Sequence, residues 1–488
     1  MHVRRTREGV AVAAKGILMD RGATIGVHAG RTLLAFLVLP NLLFALLGRI
    51  WFIDRAWVNL DYLIVGAASI WLGNRVTALA VFLLICADLL FAFAPGYHLS
   101  IASVLGSATE LLSIDPAYVL AQSMIMLVAA GTCTWLVSRS WTRVTRSAIV
   151  PAICLGMALL LAVADARFSG SRLFVSDTSL VVPNIAASTA NHLRIALATR
   201  GGASADQPHK PMDGASAGLR ERLDNAEPIS RNVILVVVES LGTFADPELD
   251  ALQLRALDRL TGNSRFTVRS SGHVQFEGST VPGELRELCG IRVLTVHPDP
   301  DALPVADCLP ARMQKAGYRT LAAHGFMGTF FSRNLWYPAL GFDHIWFASD
   351  FNRQLEAPRR CGVAFHGICD RMAWQALVDH LRARQDQRNF IYWLTISTHL
   401  PVASPGEGVD RAICEAHPVT RTNANACHLV AWHNAMLSSI VDSLQAGMPG
   451  DTTIILVGDH APPFIDARTR GLFDPRRVPY AVIAPRQQ

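Results

Sequence analysis

Charge is scarce in this chain, and it does not gather into one run. Only 17% of the 488 residues are Asp, Glu, Lys or Arg, against 51% hydrophobic residues, too apolar a balance for one average soluble protein. Part of the chain therefore belongs in lipid. The 44 Lys and Arg only mildly outnumber the 39 Asp and Glu and cluster around the apolar segments, which argues against a nucleic-acid partner, whose signature is a basic patch or stripe. No internal repeat or heptad array is apparent. Nor does a small-residue cleavage site closely follow the first apolar run, and the charged lead before that run is long; a cleavable signal peptide is thus the weaker alternative to a retained anchor.

Cysteine is sparse and divided. Cys86, Cys133 and Cys154 lie in apolar stretches, and Cys289, Cys308, Cys361, Cys369, Cys414 and Cys427 in the polar half. Local spacing suggests the pairs Cys289 with Cys308, Cys361 with Cys369 and Cys414 with Cys427, one of about 15 pairings open to six cysteines. Paired cysteines imply an oxidising compartment; the competing account is six unrelated buried thiols.

Apolar runs from Leu33 to Leu47, Trp57 to Leu72, Val76 to Phe93, Pro116 to Val137 and Ala148 to Ala164 approach the roughly 20 residues that cross a bilayer. Arg4, Arg5, Arg7, Lys15, Arg21 and Arg31 precede the first, and Arg75, Arg139, Arg143 and Arg146 fall in later loops, so five spans would keep these charges inside and place everything after about Asp165 outside. Arg49 and Arg55 count against that topology. Residues 1–165 are read as a cytoplasmic N-terminus and membrane domain, 166–231 as a linker with an interfacial helix at Val181 to Thr199, and 232–488 as an extracytoplasmic domain. Asn59 and Asp61, near the outer end of the second run, are read as interfacial.

In the last part, VILVVV from Val233, TLAA from Thr320, FIYWLTI from Phe390, TIILV from Thr453 and YAVIA from Tyr480 alternate with helical patterns. Such runs suit strands covered on both faces, and the expected fold is α/β with a mostly parallel sheet between helices. Ligands gather beyond the carboxyl ends of such strands. Glu239, His324, His399 and the pair Asp459 and His460 each follow a run. Any one alone reads as a cap or surface residue; together they offer the oxygen and imidazole donors that suit zinc or manganese.

The strings ILVVVESLG around Glu239, FEGSTVPGELRELCG around Thr280, LAAHGFMGTFFSRNLWYPALGFD from Leu321, STHLP around His399 and VGDHAPPF around Asp459 resemble the membrane sulfatase-like transferases of the alkaline phosphatase superfamily. That group includes lipoteichoic acid synthase, lipid A phosphoethanolamine transferases and glucan phosphoglycerol transferases. The resemblance implies Glu239, Thr280, Asp459 and His460 as ligands of one Zn or Mn ion and Thr280 as nucleophile; phosphatases of the superfamily often use a second ion, for which the sequence shows no complete ligand set. It further implies Arg333 and His399 as phospho-group contacts, with His324 beside them. Where lipoteichoic acid synthase has a tryptophan, this chain has Phe331. The implied activity takes phosphoethanolamine or phosphoglycerol from a membrane phospholipid donor to an envelope glycan or lipid acceptor, at the bacterial inner membrane with the catalytic domain periplasmic or extracellular. The alternatives are a membrane-bound phosphodiesterase or sulfatase and a non-catalytic envelope protein with a relic fold.

Thr280 also reads as a helix start, a position that itself favours anions. The string CLPAR from Cys308 matches the C-x-P-x-R pattern of formylglycine sulfatases, but it sits at a later helix and is read as a disulfide partner.

Overall fold

The computed structural model describes residues 26–50, 56–93, 110, 112–141, 149–168, 186–190, 193, 210–293, 295–406, 409–464 and 466–486. The chain divides into one unit of residues 1–93 and 121–196 and a second of residues 94–120 and 197–488.

In the first unit, α1 (Gly26–Leu47), α2 (Asp61–Phe93), α3 (Pro116–Trp141, whose first residues fall to the second unit) and α4 (Ile149–Phe168) supply the four described helices long and apolar enough to cross a bilayer. Five spans are expected and four helices meet the length, because the second and third runs fall in one continuous element. That element leaves helical backbone at Gly73, where φ is 71°. Tyr62 Oη donates to Asp88 Oδ2 at 2.9 Å across 26 residues, a separation that would be about 39 Å in a straight helix. So α2 doubles back at Gly73 into two arms. Asp61 accepts from Ser188 Oγ and the Ala190 N–H, both at 2.8 Å, and Asn59 bonds Thr189. Both residues thus anchor the segment after α4. Most of the expected interfacial helix from Val181 to Thr199 lies outside the described residues.

In the main part of the second unit the described residues open with a two-residue strand, Lys210–Pro211, paired with Ile291–Arg292, and a short helix, α5 (Ala217–Asp224). The unit is built on a seven-stranded sheet. Its strands are β1 (Asn232–Val238), β2 (Phe266–Gln275), β3 (Tyr318–His324), β4 (His344–Trp346), β5 (Arg388–Leu394), β6 (Thr452–Gly458) and β7 (Arg477–Pro485), in the order β2-β7-β6-β1-β5-β3-β4. The run in β1 is continuous because both faces are covered: Val233, Leu235 and Val237 enter one core, and Ile234, Val236 and Val238 the other. From β6 to β4 the pairings are parallel, while β7 is antiparallel to β6 and to β2. The sheet is therefore mixed, with four of its six pairings parallel and both antiparallel ones made by β7. Between β6 and β7 the described residues form only one helical turn, Ala467–Arg470, so no crossover helix carries the chain back and β7 returns antiparallel to β6.

All three expected disulfides are present: Cys289–Cys308, Cys361–Cys369 and Cys414–Cys427.

Candidate active site

Four adjacent strands, β6, β1, β5 and β3, end on one edge and deliver Asp459 and His460, Glu239, the loop to His399, and His324. Two close approaches fix that edge. A side chain at Gly458 would start 1.9 Å from the Leu241 carbonyl oxygen, and one at Gly283 would start 2.9 Å from that of Asp459. Glycine at Gly283 lets the first turn of α6 (Thr280–Cys289) press against the Asp459 backbone and brings Thr280, the first residue of that helix, into the cluster.

The Thr280 hydroxyl lies 3.2 Å from Glu239 Oε2 and 3.3 Å from His460 Nε2. His460 Nε2 is 3.5 Å from Glu239 Oε1 and 3.2 Å from Asp459 Oδ2. Among the described residues Glu239, Asp459 and His460 form a buried group with ligand atoms close enough to share one ion. The donor set fits a divalent cation on two further counts. Asp459 Oδ2 is buried without a hydrogen-bond donor, and His460 Nδ1 engages the Ala461 carbonyl at 2.9 Å, which leaves the Nε2 lone pair for a metal.

Neighbouring groups hold these ligands in place. Ser240, strained at φ 57°, donates its N–H to Asp459 Oδ1 at 2.8 Å and its hydroxyl to Glu239 Oε1 at 3.0 Å. Arg286, buried on α6, donates to the carbonyls of Gly458 and Asp459 at 2.7 and 3.2 Å. Burial and then the Glu239 charge push the Asp459 carboxyl well up. Burial alone would raise Glu239 too, but His399, His460, Ser240 and Arg333 outweigh it and the net direction is down. Two carboxylates in one dry place repel unless a cation sits between them.

His399 lies against Phe365, with ring centroids 3.9 Å apart, and burial lowers its imidazole. Its loop hangs from Asp370, which accepts the Ile396 and Ser397 N–H groups at 2.9 Å. His324 is buried with Nδ1 on the Leu394 carbonyl and Nε2 without a hydrogen bond. Burial, then Arg333, drives its imidazole well below the ordinary range, so it is neutral.

Arg333 opens α8 (Arg333–Ala339) after two residues with left-handed backbone, Phe331 and Ser332. One edge of its guanidinium is already engaged: Nε and Nη2 donate to Glu284 Oε2 at 3.0 and 2.7 Å. Glu284 Oε1 accepts from Tyr392 at 2.8 Å and from Tyr337. Beside the Phe331 turn a cavity of about 650 Å³ is lined by Glu110, His297, Met327 and Ser332 among others, with Glu110 accepting the Phe331 N–H at 3.2 Å. The sequence reading missed Glu284, Arg286 and Glu110. Only Glu284, four residues after Thr280 in a helical stretch, carried a signal in its spacing.

Cys308, the residue of the C-x-P-x-R match, is bonded to Cys289 and precedes α7 (Leu309–Lys315).

Residues 231–488 match the family model described as Sulfatase. Phosphoglycerol transferase I of Xanthomonas euvesicatoria pv. vesicatoria is 24% identical over 256 residues, which cover 47% of this chain and 34% of that protein. Capsular polysaccharide biosynthesis protein RkpI of Rhizobium meliloti is 26% identical over 252 residues, 48% of this chain and 44% of that protein. The matches thus span less than half the length of these curated relatives. The solved lipooligosaccharide phosphoethanolamine transferase A of Neisseria meningitidis aligns at a TM-score of 0.49 with 14% identity, covering 88% of this chain and 81% of that one. With its C-terminal 258 residues accounted for by that model, the chain belongs to the Sulfatase family.

Proposed function

We propose that this chain is a membrane-anchored transferase that moves phosphoethanolamine or phosphoglycerol from a phospholipid to an envelope glycan or lipid through a phospho-threonine at Thr280. The observation that carries the reading is the position of the Thr280 hydroxyl between Glu239 and His460. Bound by Glu239, Thr280, Asp459 and His460, a zinc or manganese ion would lower the pKa of the threonine hydroxyl and offset phosphoryl charge.

The rest falls to the chain's own groups. Thr280 Oγ gives up its proton to neutral His399 and forms a bond to phosphorus as the bond to the diacylglycerol oxygen breaks, and His399 passes that proton to the leaving oxygen. In the second half an acceptor hydroxyl attacks the same phosphorus, His399 takes its proton, and that proton goes to Thr280 Oγ as it leaves. Arg333 donates to the phosphoryl oxygens from its outer edge, and neutral His324 adds a hydrogen bond. The cavity beside Phe331, with the Glu110 carboxylate and His297 in its wall, suits the hydroxyls or the ammonium of the head-group.

In this reading residues 1–165 anchor, 166–231 connect and 232–488 catalyse. Three disulfides in the second unit favour the outer side of the cytoplasmic membrane, and anchoring raises the effective concentration of lipid donors. Phospholipid labelled in its head-group, incubated with and without candidate glycans, tests the reading. Label passing to glycan is expected, and release of soluble label alone would make the protein a hydrolase.

A further inference from the structure

We propose that Glu284 sets the charge preference of the phospho-group site, so that it accepts singly charged phosphodiesters and discriminates against doubly charged phosphate monoesters. This rests on the reading of Arg333 as a phospho-group contact given above.

Glu284 lies one helical turn beyond Thr280 on α6, so the two side chains share a face of that helix. Both Glu284 and Arg333 are sealed from solvent, at 0% and 1% exposure. The carboxylate accepts two bonds from the guanidinium and one from each phenol of Tyr337 and Tyr392. Nη1 of Arg333 donates to the Phe330 carbonyl at 3.2 Å. An arginine facing a phosphoryl group ordinarily brings a full positive charge as well as its donors. Here the charge is cancelled within the same buried pair, and only hydrogen-bond donors on the outer edge remain for a ligand.

That difference is selective. A diester carries one charge and is served by donors and a modest local field. A monoester carries a second charge that needs net positive potential, which Glu284 removes. A buried unit charge within side-chain reach changes the binding of each further unit of ligand charge by about tenfold. Tyr337 and Tyr392 hold the carboxylate in this orientation.

The test uses the full chain in detergent with Thr280→Ala to prevent turnover, titrated calorimetrically at pH 8 with dimethyl phosphate and with inorganic phosphate. Adding Glu284→Gln, which keeps the shape and removes the charge, should shift the preference toward inorganic phosphate by about tenfold. Equal changes for both anions would reduce Glu284 to a structural support and overturn the proposal. Because Glu284→Gln leaves Arg333 buried without a counter-charge and threatens folding, the double variant Glu284→Gln/Arg333→Gln is measured as well. It restores the net charge, so its preference should stay within about twofold of the parent's; a tenfold shift in the double variant contradicts the charge argument. Binding of neither anion by the parent overturns the phospho-group site itself, a result distinct from a site that binds both without discrimination.

Discussion

The hydroxyl of Thr280 and Nε2 of His460 lie 3.3 Å apart although 180 residues separate them in the chain. One residue opens a helix and the other follows a strand, and the contact exists because glycine at Gly283 lets that helix approach the Asp459 backbone. The geometry makes Thr280→Ala a sharp intervention. The small buried side chain contributes little packing, so the variant should fold, keep its thermal midpoint within a few degrees and lose at least about a thousandfold in turnover. A variant that transfers head-groups at near parental rate would remove Thr280 from the chemistry.

Metal should appear as stability as well as activity. Glu239 and Asp459 are both buried carboxylates, and a cation between them relieves their repulsion. At a free concentration of about 100 times its dissociation constant, zinc or manganese should stabilise the chelator-treated protein by about 2.7 kcal/mol. Asp459→Asn, measured by thermal unfolding with and without the ion, should lose most of that increment.

Acid should destabilise the second unit through His433. Burial holds its imidazole down at about 4, whereas the unfolded chain titrates near about 6.5. The folded state therefore binds fewer protons between these values, so the contribution is complete above pH 6.5 and is lost as pH falls toward 4, about 3 kcal/mol in all. Denaturation at stepped pH should show this slope in the parent and a flatter one in His433→Gln.

The disulfides should separate by role. Cys289–Cys308 closes a loop over a sequence separation of 19, and replacing both residues by serine should cost about 3 kcal/mol. Cys361–Cys369 closes a shorter loop, of separation 8, and should cost somewhat less. That loop, however, carries Phe365, which packs on His399. Its loss should therefore lower kcat more than the first pair does, as steady-state assays on folded protein would reveal.

The site was legible in the sequence wherever a strand announced its own end. Val233 to Val238 is an unbroken apolar run, so Glu239 stood out as the first polar residue beyond it, and Asp459 and His460 stood out beyond β6 in the same way. Strand β2 was not legible, because FTVRSSGHVQ is largely polar and pairs only with β7 among the described strands; the YAVIA run of β7 was legible as a strand, but its antiparallel direction was not. The doubling back of α2 at Gly73 falls between the two apolar runs that end at Leu72 and resume at Val76, where Arg75 already marked a loop. Arg333 was named from its sequence string, but its bond to Glu284 depends on α6 and α8 meeting, a tertiary fact with no local signature.

The central claim is that Thr280 carries the phospho-group between donor and acceptor, and peptide mass spectrometry of protein exposed to phospholipid without acceptor tests it most directly. The account predicts the mass of a phosphoethanolamine or phosphoglycerol ester on the peptide containing Thr280, lost again when acceptor is added. Turnover of the lipid with Thr280 unmodified throughout, or with the added mass on another residue, would contradict it.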